Sequence, residues 1–107
     1  MAEVSIDQFT AARADGALVV DVREPAEYVQ GHVPGALLVP LGDVPARAGE
    51  LPTDRPVYVI CASGNRSLRA ADYLGRAGVD ARSVQGGTSG WVRAGNPVVT
   101  GSRADAS

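Results

Sequence analysis

A chain of 107 residues with 45% apolar residues is typical of one globular domain and argues against disorder. A formal net charge of −2 predicts binding neither to nucleic acid nor to an anionic membrane. One cysteine excludes an internal disulfide and a Cys-x-x-Cys redox pair, and no apolar run approaches the roughly 20 residues that cross a bilayer.

The first third of the chain predicts helix, strand and helix. Ser5 and Gln8 form a capping box at the start of the first helix, which Gly16 ends. The run "ALVVDV" at 17–22 is almost wholly apolar, which is typical of a strand covered on both faces. A proline in the first turn favours a short helix over 25–30.

The middle of the chain is less regular and ends in a second buried strand. Two prolines interrupt "HVPGALLVPL", which leaves room for a short strand at 36–39. The stretch 42–51 predicts another short helix. The run "PVYVI" at 56–60 is the second clear buried strand.

The stretch 66–78 predicts the longest helix, with Asp72 and Arg76 paired on its outer face. The residues predicted to share its buried face are Ala70, Tyr73, Leu74 and Ala77. A weaker strand is predicted at 81–84.

The last predicted helix follows a turn at Gly86 and Gly87, with Thr88 as its N-cap. Strands alternating with helices indicate an α/β fold with a mainly parallel sheet and helices on both faces. We predict a single domain over residues 1–100 and a polar, frayed tail over 101–107.

The single thiol lies between a buried strand and a helix. Ligands of open α/β sheets bind outside the carboxyl ends of the strands, which is where Cys61 is expected. The first amides of the next helix lack helical partners, favour a thiolate and lower its pKa. Gly64 allows a positive φ, while Ala62 and Ser63 are small enough to leave their amides free.

This loop predicts a nest of N–H groups around one sulfur, with the positive charge of Arg66 at its rim. A nest of this kind stabilises a thiolate and an anion attached to it, which favours nucleophilic catalysis by Cys61. The alternative is a buried structural thiol, since free cysteine is among the most buried residue types.

Three segments of the sequence resemble the rhodanese-like sulfurtransferases. "CASGNRS" matches their Cys-x-x-Gly-x-Arg loop, "DVREPAEYVQGHVPGA" is similar to their other signature, and "GGTSGWVRAGNPV" is similar to their C-terminal segment. The resemblance runs from about Val4 to Val99. It implies a rhodanese-like fold with a five-stranded, mainly parallel sheet flanked by helices on both faces.

The resemblance also implies a reaction and its site. Cys61 would accept a sulfane sulfur from thiosulfate or a persulfide and pass it to cyanide or a thiol. The amides of Ala62, Ser63, Gly64, Asn65 and Arg66 would cradle the persulfide. Many family members carry a basic or polar residue directly after the cysteine, so Ala62 predicts weaker attraction of thiosulfate, which is a dianion.

Two other functions are compatible with parts of this pattern. Cysteine phosphatases also close an amide nest with arginine, but they place five residues between the two, and here four separate Cys61 from Arg66. Rhodanese folds also serve as non-catalytic docking modules, which typically lack the cysteine. The sequence favours the sulfurtransferase.

Five residues outside the loop are candidates for supporting roles. Asp21 ends a strand at the edge where Cys61 lies, and either positions the loop or caps the next helix. Arg23 and Glu27 are predicted to pair with each other. Trp91 either walls the pocket or belongs to the core. His32 is the only histidine, and the family resemblance implies a structural role for it.

The sequence predicts no cofactor and no metal site, because one cysteine and one histidine do not supply a ligand set. The expected partners are a small-molecule or protein sulfur donor and a thiol or cyanide acceptor. The acidic N-terminus lacks the basic region of a signal peptide, and together with the single thiol this predicts a cytoplasmic protein. Nothing in the sequence defines an oligomeric state.

Overall fold

A computed structural model describes residues 2–105 as an α/β domain. Its strands are β1 (Ala2–Val4), β2 (Leu18–Asp21), β3 (Leu37–Leu38), β4 (Val57–Ile60) and β5 (Ala81–Val84). Its α-helices are α1 (Ile6–Ala14), α2 (Pro25–Gln30), α3 (Val44–Arg47), α4 (Asn65–Arg76) and α5 (Gly87–Arg93). Single turns of 3-10 helix, Leu41–Asp43 and Ala48–Glu50, flank α3.

The five strands form one sheet in the order β1-β5-β4-β2-β3, and every pairing is parallel. The predicted fold class is therefore confirmed. The strand β1 pairs with β5 at one edge of the sheet. The sequence patterns had predicted no strand before the first helix. Three residues are too few to show a period, and pairing with β5 makes this segment a strand.

Alternate residues of the central strands enter two separate cores, one on each face of the sheet. Val20 of β2 and Val59 of β4 pack with Leu74 of α4 on one face. Val19 and Ile60, from the same two strands, pack on the other face in the cluster that holds Phe9. Helices therefore cover both faces, which explains why β2 and β4 are apolar almost throughout.

Helix α1 begins as predicted, with the Ser5 hydroxyl accepting from the Gln8 N–H and the Gln8 side chain accepting from the Ser5 N–H. On α4, Arg76 pairs with Asp72 at 2.8 Å, also as predicted. The predicted buried face of α4 was shifted. Its buried residues are Ser67, Ala70, Ala71 and Leu74, whereas Tyr73 is 43% exposed.

Residues 101–105 are hydrogen bonded to the domain, although a frayed tail was predicted from residue 101 onward. Gly101 donates to the Val29 carbonyl at 2.8 Å, and the Ala104 carbonyl accepts from the Gly35 N–H at 3.0 Å. These main-chain bonds do not depend on side-chain type, so a polar composition did not reveal them. Residues 106 and 107 of the predicted tail lie outside the described residues.

Between residues 2 and 105, no helix is both long enough and apolar enough to cross a bilayer.

Candidate active site

The thiol of Cys61 lies at the carboxyl end of the central strand β4, as the sequence predicted. The residue is 1% exposed. The main-chain N–H of Gly64 donates to its sulfur over 3.1 Å, which closes the loop around the Sγ atom.

Gly64 gives this loop its shape. Its φ of +113° lies in the region that favours glycine, which confirms the predicted positive φ. Gly64 is the N-cap of α4, which begins at Asn65, slightly earlier than expected. The loop therefore turns directly into the helix, and the first amides of α4 lie close to the sulfur.

The start of α5 holds the loop from the other side. The N–H of Thr88 donates to the Cys61 carbonyl at 2.8 Å, and the N–H of Ser89 donates to the Ala62 carbonyl at 3.0 Å. A Cβ atom on Gly87 would lie 2.4 Å from the Cys61 carbonyl oxygen. Glycine at position 87 therefore lets α5 approach the loop. The prediction that Thr88 is the N-cap of α5 was wrong, because the N-cap is Gly86.

Two serines that were not among the predicted site residues lie next to the thiol. The Oγ of Ser67, on α4, is 3.5 Å from the Cys61 Sγ. The same Oγ lies 2.8 Å from the Oγ of Ser83, on β5. Both serines are buried. Ser67 follows the Cys-x-x-Gly-x-Arg pattern directly, so its position in the first turn of α4 was the available signal.

Opposing effects act on the thiol. Burial raises the pKa of Cys61, but hydrogen bonds from the Ser67 hydroxyl and from the main-chain N–H groups of Ser67, Gly64 and Ser63 lower it. The hydrogen bonds prevail, so the pKa of Cys61 lies below the ordinary value of a thiol. The site therefore favours the thiolate more than water would, and the thiolate is the nucleophilic form of cysteine.

Arg66 forms an ion pair with Glu27 of α2, although the predicted partner of Glu27 was Arg23. Its two terminal nitrogens contact the two Glu27 oxygens at 2.6 and 2.8 Å. This contact holds the pKa of Glu27 at about 2 and raises the pKa of Arg66 above its usual range. The positive charge predicted at the rim is present, but a carboxylate compensates it.

Asp21 and Arg23 form a second, buried pair. The Arg23 guanidinium donates to both Asp21 oxygens, at 2.9 Å in the shortest of these contacts, and it also donates to the Gly31 carbonyl at 2.8 Å. Asp21 also accepts from the Arg23 main-chain N–H. Its carboxylate thus orients Arg23 in the loop before α2, and the predicted Arg23–Glu27 pair was wrong.

Two of the remaining candidates serve the packing of the domain. Trp91 is 2% exposed, lies edge-on to Phe9 and donates its ring N–H to the Pro97 carbonyl, so it belongs to the core. The ring nitrogens of His32 contact main-chain carbonyls, at 2.9 Å from Tyr28 and 3.0 Å from Arg103. Neither nitrogen is therefore bonded to the Cys61 thiol.

A groove of about 340 Å³ opens beside the loop. It is lined by Arg23, Ala62, Thr88, Ser89, Val92 and Arg93. Ser63 and Asn65, which follow Ala62 in the loop, are exposed. Among residues 2–105, no three His, Cys, Asp or Glu side chains are grouped so as to hold a metal ion.

Comparison with known proteins identifies the family of this fold and loop. The rhodanese-like domain family matches residues 5–94. The chain belongs to this family. The predicted resemblance is thus confirmed, and the match includes β2, the Cys61 loop and α5.

Relatives of this rhodanese-like domain include proteins named as sulfurtransferases. One, from Allochromatium vinosum, is 42% identical over 89 residues, which are 82% of this chain and 83% of that protein. Thiosulfate sulfurtransferase GlpE of Pseudomonas entomophila is 38% identical over 89 residues, 82% of each chain. The crystal structure of a rhodanese-related protein from Thermoplasma volcanium has a TM-score of 0.88 at 30% identity, covering 94% of this chain and 100% of that one.

Proposed function

We propose that this rhodanese-like domain transfers sulfane sulfur through a persulfide on Cys61. The observation that carries the proposal is the contact between the Gly64 N–H and the Cys61 sulfur, 3.1 Å long, at the carboxyl end of β4. The donor of this bond is a main-chain group of the loop itself, so it is in place before any substrate arrives.

The first step loads the cysteine. The Cys61 thiolate attacks the outer sulfur of thiosulfate or of a persulfide, and a new S–S bond forms. The S–S bond of the donor breaks, and its electron pair leaves with sulfite or with a thiolate. Cys61 then carries one additional sulfur, whose negative charge the amides of Ala62, Ser63, Gly64, Asn65 and Arg66 stabilise.

The second step removes the outer sulfur from the Cys61 persulfide. A nucleophilic acceptor, cyanide or a thiol, attacks the outer sulfur of the persulfide. The bond between the two sulfurs breaks, and Cys61 leaves with the electron pair as a thiolate. Because the loop lowers the pKa of Cys61, it stabilises this leaving group as well as the attacking nucleophile.

The size of the loop supports sulfur chemistry over phosphoryl chemistry. Four residues separate Cys61 from Arg66, and the turn at Gly64 brings its N–H onto the sulfur itself. A ring closed this tightly suits a single atom attached to Sγ. A tetrahedral phosphoryl group would need the N–H groups to lie further out.

The composition of the groove bears on the donor. Ala62 contributes no charge, and the guanidinium of Arg23 is compensated by Asp21. Arg93 lines the groove and forms no ion pair within residues 2–105. With one such cation, we expect an organic persulfide to serve as a donor at least as well as thiosulfate.

Intact-mass measurement tests the proposal. After incubation with thiosulfate or an organic persulfide, the wild-type protein should gain the mass of one sulfur atom, and cyanide should remove it. Cys61→Ser should gain no mass, because a hydroxyl does not carry sulfane sulfur. Its circular dichroism should match that of the wild type. A folded wild-type protein that gains no sulfur from either donor would contradict the proposal.

A further inference from the structure

Behind the Cys61 sulfur, two buried hydroxyl groups form a short chain. Ser67 and Ser83 are 0% and 1% exposed, and their Oγ atoms are 2.8 Å apart. The Ser67 Oγ is also 3.5 Å from Sγ and 3.1 Å from the Gly64 carbonyl oxygen. The chain thus runs from β5, through α4, to the thiol.

Counting protons shows which way these bonds run. Each hydroxyl has one proton to donate and two lone pairs with which to accept. Within residues 2–105, Ser67 is the sole hydrogen-bond partner of the Ser83 Oγ, main-chain groups included. A buried donor left without an acceptor destabilises the fold. The Ser83 proton is therefore donated to the Ser67 Oγ.

This direction decides what Ser67 has to offer the sulfur. While Cys61 is a thiol, its S–H donates to the Ser67 Oγ and the Ser67 proton points to the Gly64 carbonyl. Once Cys61 is a thiolate, the sulfur only accepts, and the Ser67 proton has to turn toward it. If Ser67 donated to Ser83 instead, no proton would remain for the sulfur.

We infer that Ser83 is a positioning residue for the Cys61 thiolate, because the hydrogen bond that it donates occupies one lone pair of the Ser67 Oγ and directs the Ser67 proton away from β5, toward the sulfur. A hydroxyl that accepts one hydrogen bond is polarised and donates a stronger one, which increases the effect. The inference relies on the proposed function only for the role of Cys61 as sulfur carrier. The hydrogen bonds themselves are independent of that role.

The test is a pH titration of the thiolate by its ultraviolet absorbance, with Cys61→Ser as the blank that removes the tyrosine signal. In Ser83→Ala the midpoint should rise by about 0.5–1 pH unit, and in Ser67→Ala by about 1–2 units, the value of one hydrogen bond to a charged group. A Ser83→Ala protein that folds and titrates like the wild type would overturn the inference.

A second pair of variants separates the hydroxyl from the packing. Threonine and valine have nearly the same shape, but only threonine has a hydroxyl. Ser83→Thr should therefore titrate close to the wild type, whereas Ser83→Val should rise like Ser83→Ala. Equal midpoints for Ser83→Thr and Ser83→Val would mean that the hydroxyl of Ser83 is not involved.

A double-mutant cycle tests whether Ser83 acts through Ser67. In the Ser67→Ala background, Ser83→Ala should shift the midpoint no further. A shift there as large as in the wild-type background would overturn the proposed route. Sulfur loading, followed by intact mass, is a separate readout. A wild type that loads no sulfur but shows these midpoints would contradict the proposed function and leave the role of Ser83 in place.

Discussion

Arg66 reaches from the start of α4 to Glu27 on α2, and both carboxylate oxygens of Glu27 contact its guanidinium. The side chains of both residues are about one-third exposed, so the pair lies at the surface beside the loop. Its hydrogen bonds to Glu27 raise the pKa of Arg66, and the negative charge of a Cys61 thiolate adds to this effect. An approaching anion therefore meets a compensated arginine.

Removing the compensating charge should change the proposed sulfur transfer from thiosulfate. In Glu27→Gln the Arg66 guanidinium is uncompensated, so the KM for thiosulfate should fall by roughly two- to fivefold. In Arg66→Gln the Glu27 carboxylate is uncompensated, and this KM should rise. Steady-state kinetics at low salt would measure both, and the KM of an uncharged sulfane donor should change little in either.

The matched control is Asp72→Asn, which breaks the other ion pair of α4, between Asp72 and Arg76. This pair lies at the far end of the helix from Cys61, so the KM for thiosulfate should stay at the wild-type value. If Glu27→Gln and Arg66→Gln both raise the KM for either donor, the ion pair acts by holding the loop rather than by its charge.

Gly87 should be intolerant of a side chain. Its Cβ would lie 2.4 Å from the Cys61 carbonyl oxygen and 2.7 Å from the Ala62 carbonyl oxygen, which are main-chain atoms. In Gly87→Ala, α5 has to move away from the loop. We expect a loss of about 1–3 kcal/mol in the free energy of unfolding and a lower rate of sulfur transfer, measured by denaturant unfolding and by thiocyanate formation.

Gly95→Ala is the control for backbone strain at Gly87. Gly95 has a φ of +89° with no atom within 4 Å of a Cβ, whereas Gly87 has a φ of +57°. The second value lies at the left-handed minimum, so alanine is no more strained there than at Gly95. A Gly87→Ala protein as stable and as active as Gly95→Ala would mean that contact with the loop is unimportant.

The segment 101–105 should contribute to stability without contributing to sulfur transfer. Ending the chain at Thr100 removes the bond from Gly101 to Val29 and the carbonyls that face His32. The truncation would take away the carbonyl partners of the His32 Nε2. Because His32 is fully buried, we expect the free energy of unfolding to fall by about 1–3 kcal/mol.

Thermal unfolding would measure this loss, and Arg103→Ala is its control. The Arg103 group that contacts His32 is its main-chain carbonyl, so this substitution should change the free energy of unfolding by less than about 0.5 kcal/mol. A shortened chain as stable as the full one would show that the segment does not support His32.

Local sequence rules predicted the features that depend on near neighbours in the chain. The capping box at Ser5, the positive φ of Gly64 and the Asp72–Arg76 pair each involve residues within four positions of one another. The apolar runs of β2 and β4 also reflect a simple cause, burial on both faces.

The features that the sequence did not predict depend on contacts between distant segments. Glu27 is 39 residues from Arg66, so nothing local distinguished it from Arg23 as an alternative partner. Ser83 is one residue of a four-residue strand, and its hydroxyl acquires a role because α4 packs against β5. Such pairings follow from the arrangement of elements around the sheet, which residue spacing alone does not define.

The size of the loop around Cys61 offers the strongest test of how the site works. Inserting one glycine between Ser63 and Gly64 would place five residues between Cys61 and Arg66, as in cysteine phosphatases. Glycine adds no side chain and adopts most backbone conformations, so the insertion changes the ring size and little else. The N–H of Gly64, now 3.1 Å from the sulfur, would move outward with its neighbours.

The inserted variant should lose sulfur transfer. Each hydrogen bond to a charged group contributes roughly 1.5–3 kcal/mol, so the loss of two should slow transfer by about a hundredfold or more. We would measure transfer with thiosulfate and cyanide, and phosphatase activity with a chromogenic aryl phosphate, after circular dichroism has shown that the variant folds. A glycine inserted between Gly78 and Val79, beyond the far end of α4, is the control for chain lengthening. If the folded loop variant transfers sulfur as fast as the wild type, the tight contact between the Gly64 N–H and the Cys61 sulfur is not the source of catalysis.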